Sequence, residues 1–133
     1  MQLTDTEIAT LIAEAQKAMA EAHAPYSNFT VGCAVLMEDG SIHRGANVEN
    51  ASYGAAICAE RSAISSAMSQ GHRGLRAVCV TNATDTKITP CGICRQVIYE
   101  FSRDVPVICT NQSGEHMILS ISELLPHAFT LDQ

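Results

Sequence analysis

"LRAVCVTNATDTKITPCGICRQVIYEFSRDVPVICT", residues 75–110, is the stretch that decides the fold of this chain. Its first and last runs, "LRAVCVT" and "VPVICT", are short and apolar, as buried strands are. Between them, "CGICRQVIYEF" follows Pro90 and predicts a helix, because proline suits a helix start, where its missing N–H has no helical partner. Strand, helix and strand in succession favour an α/β fold.

The segments before residue 75 predict two further helices and a hairpin. Thr4 and Glu7 match a helix capping box, and apolar residues at helical spacing continue from there to about His23. The dipeptide "DG" at residues 39–40 separates two apolar stretches, which is a strong hairpin signal. "CAERSAISSAMSQG", residues 58–71, has one apolar helical face and ends in glycine, so it predicts a second helix.

The segments after residue 110 complete the predicted architecture. "HMILS", residues 116–120, predicts a strand after a turn at residues 113–114, and "SISELLP" predicts a short helix that Pro126 stops. These elements together predict an α/β/α sandwich of three layers, with a five-stranded mixed sheet covered by helices on both faces. No linker or internal repeat divides the chain, so residues 1–133 are expected to form a single domain. Active sites of such sheets lie at strand ends, where loops meet helix starts.

Charge and composition exclude several classes of protein. The chain has 8 Lys and Arg against 14 Asp and Glu, a formal net charge of −6, which disfavours a nucleic acid partner. No apolar run approaches the roughly 18 residues that indicate a membrane span. The acidic start "MQLTDTEIATLIAEAQ" does not resemble a secretory signal. We therefore expect a cytoplasmic protein without a membrane partner.

Six cysteines are the feature that composition leaves unexplained. A disulfide framework is disfavoured, because the cytosol keeps thiols reduced. Three of them stand inside predicted strands and are expected to be small core residues: Cys33, Cys79 and Cys109. The other three stand at predicted helix starts: Cys58, Cys91 and Cys94. Metal binding or simple burial therefore fits the cysteines better than disulfide bonds.

The spacing of Cys91 and Cys94 suits a metal clip, a redox dithiol or an ordinary helix start. Zinc needs three protein ligands in a catalytic site, and Cys58 is a better third ligand than any histidine because it shares the helix-start position, where the positive helix end favours thiolate. Glu60 is placed to carry protons for a metal-assisted reaction. It can reach the metal only if Cys58 precedes the helix or occupies its irregular start. Arg61 can offset the charge of three thiolates.

These residues resemble the zinc-dependent nucleoside deaminases, in which "C-A-E" is followed by "P-C-x-x-C". The stretches "APYSNFTVG", "NVENASYG", "ICAERSAI" and "PCGICRQV" are similar to the small cytidine deaminases that use three cysteines. The resemblance covers roughly residues 24–101, and "LLPHAF" near the C-terminus is similar as well. It implies one zinc ion per chain, held by Cys58, Cys91 and Cys94.

The resemblance also implies the reaction and the substrate contacts. Glu60 carries protons while cytidine and deoxycytidine become uridine and deoxyuridine plus ammonia, a reaction of pyrimidine salvage. Phe29 packs against the pyrimidine, the Ala59 backbone contacts the base carbonyl, and Asn47 and Glu49 hold ribose hydroxyls. A carboxylate at the sugar accepts hydrogen bonds from hydroxyls but repels a phosphate, so the expected substrate is a nucleoside.

The family's oligomeric state supplies the last expectation. Its active sites are completed by neighbouring chains of a homotetramer, and Tyr53 and Phe129 match positions near them. Three alternatives stay open. They are a deaminase of a modified cytosine nucleoside such as blasticidin S, a deaminase of tRNA or single-stranded DNA, and a non-catalytic scaffold stabilised by zinc.

Overall fold

The computed structural model describes residues 3–132, so residues 1, 2 and 133 of the predicted single domain lie outside it. Helices and strands follow one another in the predicted order, and an unpredicted 3₁₀ turn precedes the second helix. The helices are α1 (Asp5–Met19), α2 (Ala59–Ser69), α3 (Gly92–Phe101) and α4 (Ile121–Leu124). The strands are β1 (Val31–Met37), β2 (Ile42–Ala46), β3 (Leu75–Asn82), β4 (Pro106–Thr110) and β5 (His116–Ser120), and the 3₁₀ turn spans Tyr53–Ala55.

The five strands form one mixed sheet, as predicted, and their order in it is β2-β1-β3-β4-β5. The pair β3 and β4 is parallel, and the other neighbouring pairs are antiparallel. A parallel pair needs a crossover, which α3 provides. The predicted hairpin joins β1 and β2, and Gly40 in its turn has a φ of +87°, a left-handed conformation that glycine adopts without strain.

Helices cover both faces of the sheet because successive strand residues point to opposite sides. Along β1, Cys33, Val35 and Met37 join the core cluster beneath α2, α3 and α4. The intervening Ala34 and Leu36 join the second cluster, beneath α1. The rest of that second cluster is Leu11, Ala15, Ala77, Cys79 and Ile108. The two clusters form the two interfaces of the predicted three-layer α/β/α sandwich.

The three strand cysteines are core residues, as predicted. Cys33, Cys79 and Cys109 are fully buried, and all six cysteines of the chain are free thiols. Burial raises the pKa of Cys109 to about 11 and raises the pKa of Cys33 well above its usual value. These thiols therefore stay protonated at neutral pH and act as small apolar side chains.

Two helices approach the hairpin closely at glycines. A Cβ atom on Gly45 of β2 would lie 2.6 Å from the carbonyl oxygen of Ala59 and 2.9 Å from Cα of Ala63, both in α2. A Cβ atom on Gly32 of β1 would lie 2.9 Å from Cα of Met19 in α1. Non-bonded carbon atoms normally pack about 3.5–4.0 Å apart. Gly45 therefore sets the depth at which the start of α2 lies on the sheet.

The end of α1 differs from the prediction. The helix ends at Met19, not near His23, although the apolar spacing continues. The N–H of His23 donates to the Asn47 carbonyl at 2.9 Å, and the N–H of Glu49 donates to the His23 carbonyl at 2.8 Å. This pairing with residues 47–49 draws the chain out of the helix. Within residues 3–132, no helix is both long and apolar enough to cross a membrane.

Candidate metal and substrate site

Cys58 and Glu60 can converge because Cys58 lies just outside α2. Cys58 is the N-cap residue, with an extended backbone at φ −77° and ψ 157°, and Glu60 is the second residue of the helix. Two residues at positions i and i+2 of a regular helix point in nearly opposite directions. The extended backbone at Cys58 meets the condition set by the sequence, that Cys58 must precede the helix for Glu60 to reach the same metal. The Cys58 side chain makes no capping hydrogen bond and instead lines a cavity.

The start of α3 repeats the arrangement seen at the start of α2. Cys91 is the N-cap residue of α3, with φ −67° and ψ 169°, and Cys94 lies in the first turn. Pro90 precedes the N-cap and so lies outside the helix. The first N–H groups of a helix have no helical partner and carry partial positive charge. Two such helix starts meet at the cysteines and place partial positive charge beside them.

The sulfur atoms of Cys58, Cys91 and Cys94 lie within 4.8 Å of one another. Within residues 3–132, no other group of three His, Cys, Asp or Glu side chains is close enough to hold a metal ion. The Sγ atoms of Cys58 and Cys91 are 3.7 Å apart, too far for a disulfide of about 2.05 Å. In a tetrahedral site with Zn–S bonds of about 2.3 Å, two sulfurs lie about 3.8 Å apart. The cluster fits one zinc ion with three protein ligands.

Arg61 is the cation beside this cluster. Its Nη2 atom donates to Cys58 Sγ at 3.6 Å, and its buried Nε atom has no partner among the described residues. A hydrogen bond from the Cys94 thiol and then the Arg61 guanidinium lower the pKa of Cys58 to about 5. The same hydrogen bond, together with burial, raises the pKa of Cys94. Arg61 therefore places a positive charge next to the sulfur cluster.

Glu60 is a carboxyl group removed from water. The residue is only 4% exposed. Burial raises its pKa to about 7, and the negative charge of Cys58 acts in the same direction. A group with a pKa near the working pH accepts and donates protons with comparable ease. Glu60 is thus suited to proton transfer beside the sulfur cluster.

One cavity of about 520 Å³ joins the cysteines to most of the predicted substrate residues. Its lining includes Cys58, Cys91, Glu60 and Arg61. Five of the six predicted substrate-binding residues also line it: Phe29, Asn47, Glu49, Tyr53 and Ala59. Cys94 is not among the lining residues and is fully buried. The cavity is therefore large enough and suitably lined for a small molecule placed next to a metal ion.

Asn47 and Glu49 hold the segment that carries Phe29. Asn47 Oδ1 accepts from the Val31 N–H at 2.8 Å, and its Nδ2 donates to the Phe29 carbonyl at 2.8 Å. The Glu49 carboxylate accepts hydrogen bonds from the Ser27 hydroxyl, from the Ser27 N–H and from the Tyr26 N–H. These bonds, the Ser27 hydroxyl first, lower the pKa of Glu49. Glu49 therefore places a negative charge at the cavity wall at neutral pH.

The loop between β3 and α3 is held by two buried asparagines. Asn82 Nδ2 donates to the Thr86 carbonyl at 2.8 Å, and its Oδ1 accepts from the Thr84 N–H at 3.0 Å. Asn111 Nδ2 donates to the Asp85 carbonyl at 2.9 Å. Both asparagines are at most 1% exposed, so each bond is partly shielded from water on the asparagine side. They anchor the first half of the loop that leads to the second cysteine.

Part of the cavity was not predicted. The further lining residues include Val31, Ile57, Ile88, Thr89 and Ile93. Each stands within three positions of a predicted site residue, which was the available signal in the sequence.

Phe129, by contrast, does not line the cavity within one chain. It is 62% exposed, and its carbonyl accepts from Gln96 Nε2 at 2.9 Å.

A family model matches residues 5–110, and its description is "Cytidine and deoxycytidylate deaminase zinc-binding region". The matched range contains the three cysteines of the cluster, Glu60 and Arg61. It also contains most of the cavity wall. The site built from geometry therefore lies within the range that the zinc-binding family model matches.

Relatives and solved structures extend the similarity over nearly the whole chain. A cytidine deaminase from Sporosarcina psychrophila is 45% identical over 125 residues, 93% of this chain and 92% of the relative. One from Halalkalibacterium halodurans is 49% identical over 123 residues, 92% of this chain and 93% of the relative. The crystal structure of cytidine deaminase from Burkholderia pseudomallei matches with a TM-score of 0.89 at 44% identity, covering 96% of this chain and 100% of that one.

Proposed function

The chain belongs to the cytidine and deoxycytidylate deaminase family, and we propose that it hydrolyses cytidine and deoxycytidine to uridine and deoxyuridine plus ammonia. One observation carries the proposal. Three cysteine sulfurs that fit a zinc ion and a buried carboxyl group with a pKa of about 7 belong to the same site. A metal that activates water and a group that moves protons are the two requirements of hydrolytic deamination.

The sulfur cluster holds the metal in this proposal. The three thiolates would hold a zinc ion, which would supply the Lewis acidity that lets water attack near neutral pH. Cys58, Cys91 and Cys94 place negative charge on the ion, which weakens that acidity. Arg61 and the two helix starts counter this charge.

Glu60 moves the protons. Its ionised form accepts a proton from the attacking water, and its protonated form donates to cytosine N3 and to the departing amine. The new C4–O bond replaces the C4–N4 bond. One hydrogen of water ends on N3 and the other on ammonia, so the reaction balances without a further reagent. A pKa of about 7 lets one carboxyl group serve in both directions.

The cavity wall orients the nucleoside. Phe29 packs against the pyrimidine, and the Ala59 backbone contacts the base carbonyl. The Glu49 carboxylate accepts hydrogen bonds from the ribose hydroxyls, and the Asn47 amide accepts or donates them there. The ionised Glu49 carboxylate disfavours a phosphate on the same sugar, which supports a nucleoside as the substrate.

A homotetramer with shared active sites is part of the proposal. Tyr53 lines the cavity and is 85% exposed, and Phe129 is also mostly exposed. Large aromatic side chains this exposed favour cover by a neighbouring chain. Light scattering should give four times the mass of one chain. A monomeric mass with full activity would overturn this part.

Six free cysteines support a reducing compartment, and we place the protein in the cytoplasm.

The experiment that tests the function follows the ultraviolet absorbance of cytidine mixed with purified protein, with zinc quantified in the same sample. The expected result is loss of the cytosine band with about one zinc ion per chain. An intact band at full zinc loading would overturn the proposal and favour the scaffold alternative. Faster turnover of blasticidin S than of cytidine, or tight salt-sensitive binding of an oligonucleotide, would favour the other two alternatives.

A further inference from the structure

Arg95 directly follows Cys94 on α3, and its guanidinium makes three hydrogen bonds. Nε donates to the Pro90 carbonyl at 2.7 Å, Nη2 to Thr89 Oγ1 at 2.9 Å and Nη1 to the Leu124 carbonyl at 2.8 Å. Every nitrogen of the guanidinium therefore has a partner. The acceptors come from two segments, the loop before α3 and the end of α4. None of them is a carboxylate, so these bonds fix positions and do not pair charges.

Arg95 also holds the backbone on both sides of the Cys91 α-carbon. Its own N–H donates to the Cys91 carbonyl at 3.0 Å, while its side chain holds the Pro90 carbonyl. The Cys91 side chain makes no capping hydrogen bond that would orient it. Two consecutive carbonyls bound by one residue leave the Cys91 backbone little freedom to turn. These bonds fix the direction of the Cys91 Cα–Cβ bond, from which the Sγ atom extends, and the Arg95 side chain supplies the bond to Pro90.

The rest of the loop is anchored elsewhere. Asn82 and Asn111 hold residues 84–86 through buried amide groups. Among the hydrogen bonds of residues 3–132, those that reach Thr89 and Pro90 come from the Arg95 side chain. The end of the loop nearest the metal ligand is thus held by Arg95, and the beginning is held by the asparagines.

We propose that Arg95 is a positioning residue that keeps Cys91 in the geometry that zinc binding requires. The inference rests on the proposed function, which supplies the zinc ion. A ligand that is ordered before the metal arrives does not lose conformational freedom when the metal binds. Outer partners of metal ligands typically contribute roughly 10- to 100-fold to metal affinity. A loss of this size is the expected effect of removing the Arg95 guanidinium.

R95K separates positioning from charge. The lysine ammonium keeps the positive charge, but it is a compact group without the planar fork that reaches three acceptors. If Arg95 acted only through its charge, R95K would bind zinc as the wild type does. If Arg95 acts through geometry, R95K loses zinc affinity together with R95A.

The experiment measures the zinc dissociation constant of the full-length protein by competition with a chromophoric chelator of known affinity. The variants are R95K, R95A and the matched control R103K, which alters an exposed arginine paired with Asp132 near the end of the same helix. We expect R95K and R95A to bind zinc roughly 10- to 100-fold more weakly than the wild type. R103K should match the wild type, because exposed pairs contribute little.

R95K is the deciding variant. Wild-type zinc affinity in R95K would overturn the proposal, even if its thermal stability falls, because a purely structural role lowers stability without changing the zinc constant. If R95A does not fold, T89V replaces it, because valine removes one of the three acceptors and should weaken zinc binding in the same direction. The measurement uses no substrate, so a wild-type protein that binds zinc but does not deaminate cytidine would overturn only the proposed function.

Discussion

Two glutamates of one cavity differ in charge at neutral pH because their neighbours differ. Glu60 is buried next to Cys58, and burial first and then the charge of Cys58 raise its pKa to about 7. Glu49 accepts hydrogen bonds from Ser27 and from backbone N–H groups, and its pKa falls. Pairs of carboxyl groups whose surroundings move their pKa values apart usually serve different purposes. Here the first suits proton transfer and the second suits recognition of uncharged hydroxyl groups.

Replacing Glu60 tests the proton-transfer role. E60Q keeps the shape of the side chain but cannot exchange protons, so we expect kcat for cytidine to fall about 10²- to 10⁴-fold. Zinc content and melting temperature should stay at wild-type values. Steady-state rates with zinc analysis check both. E100Q, which alters an exposed glutamate of α3, is the control and should leave the rate unchanged. Turnover by E60Q close to the wild-type rate would contradict the role.

Comparing cytidine with cytidine 5′-monophosphate tests the role of Glu49. We expect kcat/KM to be higher for the nucleoside, because the Glu49 carboxylate repels the phosphate. In E49Q the ratio of the two kcat/KM values should shrink about tenfold. Both substrates are measured on the same variant, so damage to the Phe29 segment affects both and cancels from the ratio. An unchanged ratio in E49Q would show that another group excludes the phosphate.

At the scale of elements, helix starts carry the reactive side chains and the sheet sets their positions. Cys58 and Cys91 are both N-cap residues with extended backbones. Their sulfurs meet only because α2 and α3 lie side by side on one face of the sheet. The close approach of α2 to β2 at Gly45 is one determinant of that placement. A change in the distance between α2 and the sheet is therefore expected to disturb the metal site.

Gly45 is the position where this can be tested. In G45A the new methyl group would meet the backbone of α2, so the helix must move. We expect a loss of about 3 kcal/mol in the free energy of unfolding, which is typical of overpacking, together with weaker zinc binding. Urea unfolding and chelator competition measure the two effects. G54A, where nothing lies within 4 Å of the new Cβ atom, is the control for stability. Equal stability of G45A and G54A would contradict the prediction.

The hairpin between β1 and β2 is expected to lose stability in acid. The Ser41 hydroxyl and N–H, and then His72, lower the pKa of Asp39 to about 2. The unfolded value is about 3.9, so the ionised carboxylate stabilises the fold above about pH 4 and this contribution disappears as the pH falls through 2. D39N should therefore be less stable than the wild type at pH 6, and the difference should close between about pH 4 and 2. Urea unfolding across this range checks it, and a difference that stays constant would be the contrary result.

At the scale of the whole molecule, the metal links two elements that are distant in sequence. Cys58 precedes α2, and Cys91 and Cys94 belong to the start of α3. A bound ion therefore connects two of the helices that cover one face of the sheet. Because metal binds the folded arrangement of ligands, its binding free energy adds to the free energy of folding.

Removing zinc should therefore destabilise the protein. At free zinc near 1,000 times the dissociation constant, the contribution is about 4 kcal/mol. We expect a chelator to lower the melting temperature and added zinc to restore it. C91S is the control, because it lacks one ligand and should show a much smaller zinc-dependent shift. An unchanged melting temperature after complete removal of zinc would contradict a metal site in the core of the fold.

Much of the candidate site could be predicted because its signals are local. Thr4 and Glu7 form the predicted capping box, and Cys58 and Cys91 stand at the predicted helix starts. The unpredicted residues Ile88 and Thr89 lie beside motif positions, but nothing in their own chemistry marks them. Arg95 was also missed, because its partner Leu124 lies 29 residues away.

The sequence by itself determined the element types and the hairpin turn, and it placed Cys58 and Cys91 at helix starts, because these features depend on side chains a few positions apart. Only the tertiary structure decided where α1 ends, since His23 leaves the helix to pair with Asn47. It also decided the strand order and the meeting of Cys58 with Cys91, which are 33 residues apart. Those outcomes depend on packing between remote segments, such as α2 against Gly45. The free energy of such contacts depends on the whole fold and on no single stretch of sequence.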